Sequence, residues 1–155
     1  MQTLKKVLVG LGVVFVLLGV LVAFFAYSFA GFQQQHEAFV RQFVADYSRR
    51  WEVADVQAQV TAQFLEQIRS PNGLQAVSYF QRMGRIRSIT DVSIDHFTSG
   101  TNGKVGVFLF KAEFENAPAV VKVTVIEKDG SVLVQAVNIT PVSEPIPSGR
   151  GQTDA

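Results

Sequence analysis

Twenty-four consecutive residues, Val7 to Ala30 ("VLVGLGVVFVLLGVLVAFFAYSFA"), carry no charge, and Lys5 and Lys6 stand just before them. A helix needs roughly 20 apolar residues to cross the hydrocarbon of a bilayer, whereas the apolar stretch of a cleaved signal peptide runs about 7–15. The length favours a transmembrane anchor over a signal peptide cut after Ser28-Phe29-Ala30. Only Arg41 follows in the first turns beyond the span, so the positive-inside rule leaves residues 1–6 in the cytoplasm. The expected location is the cytoplasmic (inner) membrane, single-pass, with everything after the span outside the cytoplasm. Gly12, Gly19, Ala23, Ala26 and Ala30 share one stripe of the span. That is the pattern of a helix-packing face, although Gly and Ala are frequent in spanning helices for other reasons.

Beyond the span the pattern changes. In "FQQQHEAFVRQFVADYSRRW", Phe39, Val40, Phe43, Val44, Tyr47 and Trp51 recur at three- and four-residue steps, an amphipathic helix. No Pro separates it from the span, so the two can form one stiff stalk. A second helix is expected from an N-cap at Asp55, with Val56, Val60, Phe64, Leu65 and Ile68 on its apolar side, ending at Arg69. Ser70-Pro71 reads as a cap and first-turn proline for a third helix, with Leu74, Val77, Phe80 and Met83 on the apolar side and Gly84 as its stop.

From Ile86 the period becomes two, which predicts strands. The first covers Ile86 to Thr98, before the turn "SGTNG"; a bulge near Asp95 and His96 reconciles its two parities. Asp129-Gly130 is a two-residue hairpin signal pairing Lys128 with Ser131, which sets Val121, Val123 and Val125 opposite Asn138, Ala136 and Val134. A loop centred on Asn116-Ala117 pairs Phe108, Phe110, Ala112 and Phe114 with Val125, Val123, Val121 and Ala119. The expected fold is α+β: an N-terminal transmembrane helix, then about three amphipathic helices packed on a curved four-stranded antiparallel sheet. Its domains are the anchor (7–30), an extracytoplasmic domain (31–140) and a disordered tail (141–155), the last because "PVSEPIPSGRGQTDA" is rich in Pro, Ser and Gly and lacks periodicity. Asn138-Ile139-Thr140 matches a glycosylation sequon by coincidence, since it lies in a strand and precedes Pro141.

The junction "RMGRIRSITDVSI", where helix, glycine and first strand meet, and the order of elements over about residues 33 to 140 resemble the nuclear transport factor 2-like and cystatin-like folds, particularly small membrane-anchored bacterial envelope domains. The resemblance implies one of two functions. Ketosteroid isomerase relatives enclose a pocket for acid–base chemistry, while the anchored scaffold subunit of type IV secretion systems mediates assembly. No signature residue carries a role across.

Several chemistries fail on residue content. Without Cys there is no disulfide framework, thiol nucleophile or Cys-based metal site. His36 and His96 each lack a second ligand at helical or strand spacing, and no cofactor is expected. "GTNGKV" lacks the glycine spacing and the Ser or Thr of a phosphate loop. Residues 31–155 hold 12 basic and 13 acidic groups, which gives nucleic acid no electrostatic footprint. An acid–base pocket would draw on Asp91, Asp95, His96, Tyr47 or Tyr79, with Asp95 and His96 as its centre. Adjacent strand residues point to opposite faces, however, unless a bulge re-aims one of them.

Two surfaces remain for partners. Arg82, Arg85 and Arg87, with Arg49 and Arg50, form a candidate basic patch for lipid headgroups or an acidic partner. On the second face of the sheet Val105, Val107, Leu109, Ile126, Leu133, Val137 and Ile139 gather at one end, and Lys111, Glu113 and Lys122 at the other. An apolar patch that survives on a domain this small usually meets something. The expected function is therefore a non-catalytic interaction or assembly module, binding another envelope protein or itself. The alternative is a small-ligand pocket or acid–base enzyme of the same fold.

Overall fold

The computed structural model describes residues 2–142, with side chains described from residue 12 onward. The tail expected over 141–155 lies outside the described residues apart from Pro141 and Val142. Helix α1 runs unbroken over Gln2–Tyr47, so the span and the first amphipathic helix are a single rod of 46 residues, about 69 Å long. From Gly12 to Tyr27 it is exposed all round, and its apolar stretch has a mean hydropathy of 2.6 over 18 residues. It is the one helix among the described residues long and apolar enough to cross a membrane. Its second half buries Phe32, His36, Val40, Phe43, Val44 and Tyr47 along one stripe, the spacing at which one helix face meets a core.

The rod ends where Ser48 ties it to the sheet: the Ser48 hydroxyl donates to Ala45 O (3.3 Å) and accepts the N–H of Ile86 (3.2 Å). Trp51 follows in the left-handed region (φ +56°), and its indole N–H donates to Gly84 O at 3.1 Å. The second helix begins later than the sequence suggests. Residues around Asp55 form short 3-10 turns, Val53–Asp55 and Gln57–Gln59, and α2 covers only Ala62–Arg69, capped by the Thr61 hydroxyl on Phe64 N (3.2 Å). Asp55 instead pairs with Arg50, and Val60 bridges to Val134 as a short parallel pair. Helix α3, Pro71–Met83, has the expected cap at Ser70 and stop at Gly84, whose φ of +79° suits glycine. Leu74, placed by the sequence on its apolar side, is exposed.

Four strands form an antiparallel meander in the order β1-β2-β3-β4: β1 Ile86–Gly100, β2 Gly103–Phe114, β3 Pro118–Lys128 and β4 Ser131–Pro141. The second half of α1, α2 and α3 are the three amphipathic helices, and they cover one face, so the fold is α+β as expected. Two registers differ from the expectation. Between β2 and β3 the partners are Phe108↔Val123, Phe110↔Val121 and Ala112↔Ala119, a shift of two residues. The α3–β1 connection grips the loop: Asn116 N donates to Met83 O (3.0 Å), Glu115 N donates to Arg85 O (2.9 Å) and Phe114 N closes on Ala117 O (3.1 Å). An even shift leaves every side chain on its expected face.

Between β3 and β4 the expected register holds from Lys128↔Ser131 to Val125↔Val134 and then slips by one at a bulge on Gln135, giving Val123↔Val137 and Val121↔Ile139. The slip sits where the chain entering α2 joins the strand, since Thr61 N donates to Val134 O (3.0 Å). A one-residue slip reverses faces. Ile139 is accordingly buried in the core, and Val137 packs against it.

The core lies between the helices and the strand residues Phe108, Phe110, Phe114, Val121, Val123, Val125 and Val134. Aromatic contacts fix the relative direction of helix and sheet. Phe32 packs on Phe108 (6.0 Å between ring centres) and would collide with any Cβ at Gly106, while Trp51 packs on Phe114 (5.9 Å). Strand β2 therefore rises along α1, away from its apolar half.

Candidate interaction face

The outer face is built by the alternate residues of the same strands. Val105 pairs with Ile126, and Ile126 with Leu133, making an apolar row across β2, β3 and β4. One step up the sheet Val107 lies opposite Thr124, and Thr124 opposite Ala136; a further step sets Leu109 opposite Lys122, and Lys122 opposite Asn138. Val105, Val107, Leu109, Ile126 and Leu133 are each half-buried, shielded by their cross-strand neighbours. Val137 and Ile139 do not belong to this patch: the bulge at Gln135 turns both inward. Because β2 rises along α1, the apolar row is the end of the face nearest the apolar half of the helix.

The upper end is ionic. Lys111 Nζ lies 3.0 Å from Asp91 Oδ2, and Lys122 Nζ 2.9 Å from Asp95 Oδ2. Both pairs are well exposed, which makes each worth well under about 1 kcal/mol. They rest on irregularities of the edge strand. β1 breaks register at three places, between Ile86 and Ser88, between Thr90 and Ser93 and between Ile94 and His96. Asp91 adopts φ +53° at the second of them. The bulge expected near Asp95 is present and brings both Asp95 and His96 to the outer face, where His96 sits opposite Val107. They do not form a reacting pair. The Asp95 carboxylate is held by Lys122, and the His96 Nε2 lies 3.1 Å from Thr98 Oγ1.

The arginines gather at the opposite end of the domain, beyond the Tyr47 end of α1 and about 25 Å of helix above residue 30. Arg85 is engaged by Glu115, whose Oε1 accepts its Nε–H at 3.2 Å and whose Oε2 accepts its backbone N–H at 3.0 Å. That backbone bond, reinforced by the guanidinium, holds the Glu115 carboxyl below the usual glutamate range. The Arg82 guanidinium lies over the Tyr79 ring at 6.0 Å, and Arg49 pairs with Asp46 (3.2 Å). The arginines thus form a partly neutralised rim.

On the apolar part of α1, a Cβ at Gly12 or Gly19 would meet nothing within 4 Å. Ala23 is exposed. Ala26 instead borders a groove that Leu21, Val22, Phe25 and Phe29 form with Asp95, His96 and Phe97.

Sequence reasoning missed one polar group, His36, which interrupts the buried stripe of α1 and meets Glu127. Its signal was present: "FQQQHEAF" puts a histidine four residues after Phe32 and four before Val40, on the apolar side. Among the described residues no group of three His, Asp or Glu side chains is arranged to hold a metal ion. Compared with known proteins, the chain matches no family model, no curated protein and no solved structure.

Proposed function

We propose that this chain is a single-span protein of the cytoplasmic membrane, N-terminus inside, whose α+β domain stands outside as a non-catalytic interaction module. The observation that carries the reading is the continuity of α1: one helix is lipid-like on its first half and core-forming on its second, so the sheet is fixed in height and orientation above the bilayer. Held that way, the apolar row Val105–Ile126–Leu133 faces sideways close to the membrane surface. The partner that fits is another membrane-held protein, either a second copy or a different envelope protein, because a freely diffusing one would have no reason to prefer that height. The element order also supports kinship with the nuclear transport factor 2-like and cystatin-like folds, within which this chain reads as an assembly module. The engagement of Asp95 by Lys122 and of His96 by Thr98 favours this reading over an acid–base enzyme centred on that pair.

In-cell photocrosslinking from Leu109, Ile126 and Arg85 tests the proposal, with the anchor intact. A discrete adduct from Leu109 and Ile126, to this chain or to another membrane protein, is the expected result. An adduct from Arg85 alone moves the interface to the arginine rim. No adduct from a folded, membrane-bound chain sinks the proposal. Orientation is checked separately: the chain has no Cys, so Ser99→Cys in intact cells should react with a membrane-impermeant maleimide.

A further inference from the structure

At the foot of the domain the edge strand β1 comes down beside the apolar half of α1. Phe97 packs edge-on against Phe29 (6.0 Å between ring centres) and lies 5.1 Å from Phe32. Here strand and helix enclose an open groove of about 600 Å3. Its helical side includes Leu21, Val22, Phe25 and Ala26, and its strand side carries Asp95 and His96; all six residues are exposed.

The height of the groove names what fills it. On the single-span reading, on which this inference rests, about 20 residues from Val7 carry the helix through the hydrocarbon, to about Ala26. Leu21, Val22 and Phe25 then lie among acyl chains of the outer leaflet. Phe29 stands about 5 Å further out, within an interfacial layer roughly 5–7 Å deep. Phe97 meets it there, so Asp95 and His96, the next residues up the strand, stand at headgroup level. An apolar wall below and hydrogen-bonding side chains above match the two parts of a phospholipid.

The charges choose the headgroup. Lys122 Nζ holds Asp95 Oδ2 at 2.9 Å, which leaves Oδ1 outside that contact and sets a cation beside a carboxylate. Paired opposite charges complement a zwitterion. A headgroup with a phosphate and no cation would be repelled by Asp95, and a quaternary ammonium has no N–H to donate to it. The geometry points to this groove as the seat of one outer-leaflet phospholipid with a primary-ammonium headgroup. Its acyl chain lies on Leu21, Val22 and Phe25, and its ammonium donates to Asp95, a charge-assisted bond. The His96 imidazole, 3.1 Å from Thr98 Oγ1, flanks the phosphate.

Native mass spectrometry of the full chain, ejected from nanodiscs of equal parts phosphatidylethanolamine, phosphatidylglycerol and phosphatidylcholine, tests it. The expected spectrum shows one lipid retained per chain. Phosphatidylethanolamine should exceed either of the others about three- to tenfold, the worth of one net hydrogen bond. Ala26→Trp fills the groove and should strip the lipid, whereas Val20→Trp, on the exposed helix outside the groove, should keep it. Asp95→Asn should keep the lipid and lose the preference. All three positions are exposed, so the domain stays folded, which circular dichroism checks. A parent chain without lipid, or retention that survives Ala26→Trp, overturns the site. So does a lipid-free dimer that Ala26→Trp dissociates, which would give the groove to a second copy's helix. Equal retention of the three lipids, or a preference that Asp95→Asn leaves intact, overturns the headgroup assignment. A chain that never enters the nanodisc overturns the single-span reading and this inference with it, whereas one that enters and fails only the lipid tests leaves that reading standing.

Discussion

His36 Nε2 on α1 lies 2.6 Å from Glu127 Oε2 on β3, with the imidazole buried at 2% exposure and Lys104 of β2 3.7 Å from the other carboxylate oxygen. The pair sits one helical turn past Phe32, where α1 passes from its exposed apolar half to its buried one. Together with the close approach of Phe32 to Gly106, it clamps the helix to two strands at the foot of the domain. Glu127→Leu should strand a buried imidazole and cost about 1–3 kcal/mol, and His36→Leu should in turn leave the half-buried carboxylate without its imidazole partner. Replacing both partners with Leu should cost less than the sum of the two single changes, with a coupling of about 0.5–3 kcal/mol. Urea unfolding of the full chain in nanodiscs, followed by the buried Trp51, measures all three. Strictly additive losses would show that the two side chains do not act together.

The bulge at Gln135 makes a second test. With Ile139 in the core, 7% exposed, Ile139→Ala should cost about 2–4 kcal/mol, whereas Asn138→Ala on the outer face should stay within about 0.5 kcal/mol. An uninterrupted register from the Asp129-Gly130 turn would predict the reverse order, so the two unfolding midpoints decide which register the protein uses.

These two cases mark what was legible in the sequence. Helical spacing gave the stripe Val40–Phe43–Val44–Tyr47, Ser70-Pro71 gave the start of α3, and Asp129-Gly130 gave its hairpin, because each signal acts over a few residues. Alternation assigned Phe108, Phe110 and Phe114 to the core even though the assumed pairing of β2 with β3 was two residues off, since parity survives an even shift. What escaped depends on distant partners. Val60 and Thr61 engage Val134 and turn Val137 and Ile139 inward, and no local pattern around Gln135 announces this. The start of α2 was misplaced for the same reason: Asp55 is as good a cap as Thr61 in isolation, but Arg50 takes it. The apolar end of the outer face was legible in Val105, Leu109, Ile126 and Leu133, whereas the groove below Phe97 arises only when the lower end of β1 meets α1.

Leu109→Lys combined with Leu133→Glu should separate interaction from folding. Both side chains are half-buried on the outer face, so the stability cost should remain near 1 kcal/mol. The crosslinked adduct from Ile126 should disappear. A chain that unfolds on this double change would reveal the patch as a part of the core, whereas an adduct that persists would remove the patch from the interface.

Tyr47 supplies the pH dependence. Burial pushes its phenol up to about 12, against about 10 in an unfolded chain. Below pH about 10 the phenol is protonated in both states, and its stabilising contribution is fully present. Between about 10 and 12 only the unfolded chain ionises, so stability falls with rising pH by about 1.4 kcal/mol per unit from this residue alone. Tyr47→Phe removes that dependence, and near pH 7 it also removes a buried hydroxyl that has no hydrogen-bond partner among the described residues. The variant should therefore be as stable as the parent or up to about 1 kcal/mol more stable at neutral pH, and its advantage should widen above pH 10. Urea midpoints at pH 7, 10 and 11 measure the difference. A Tyr47→Phe chain that is weaker than the parent at pH 7 would mean that the hydroxyl already has a partner in solution, and parallel pH profiles would mean that the phenol is not shielded from water.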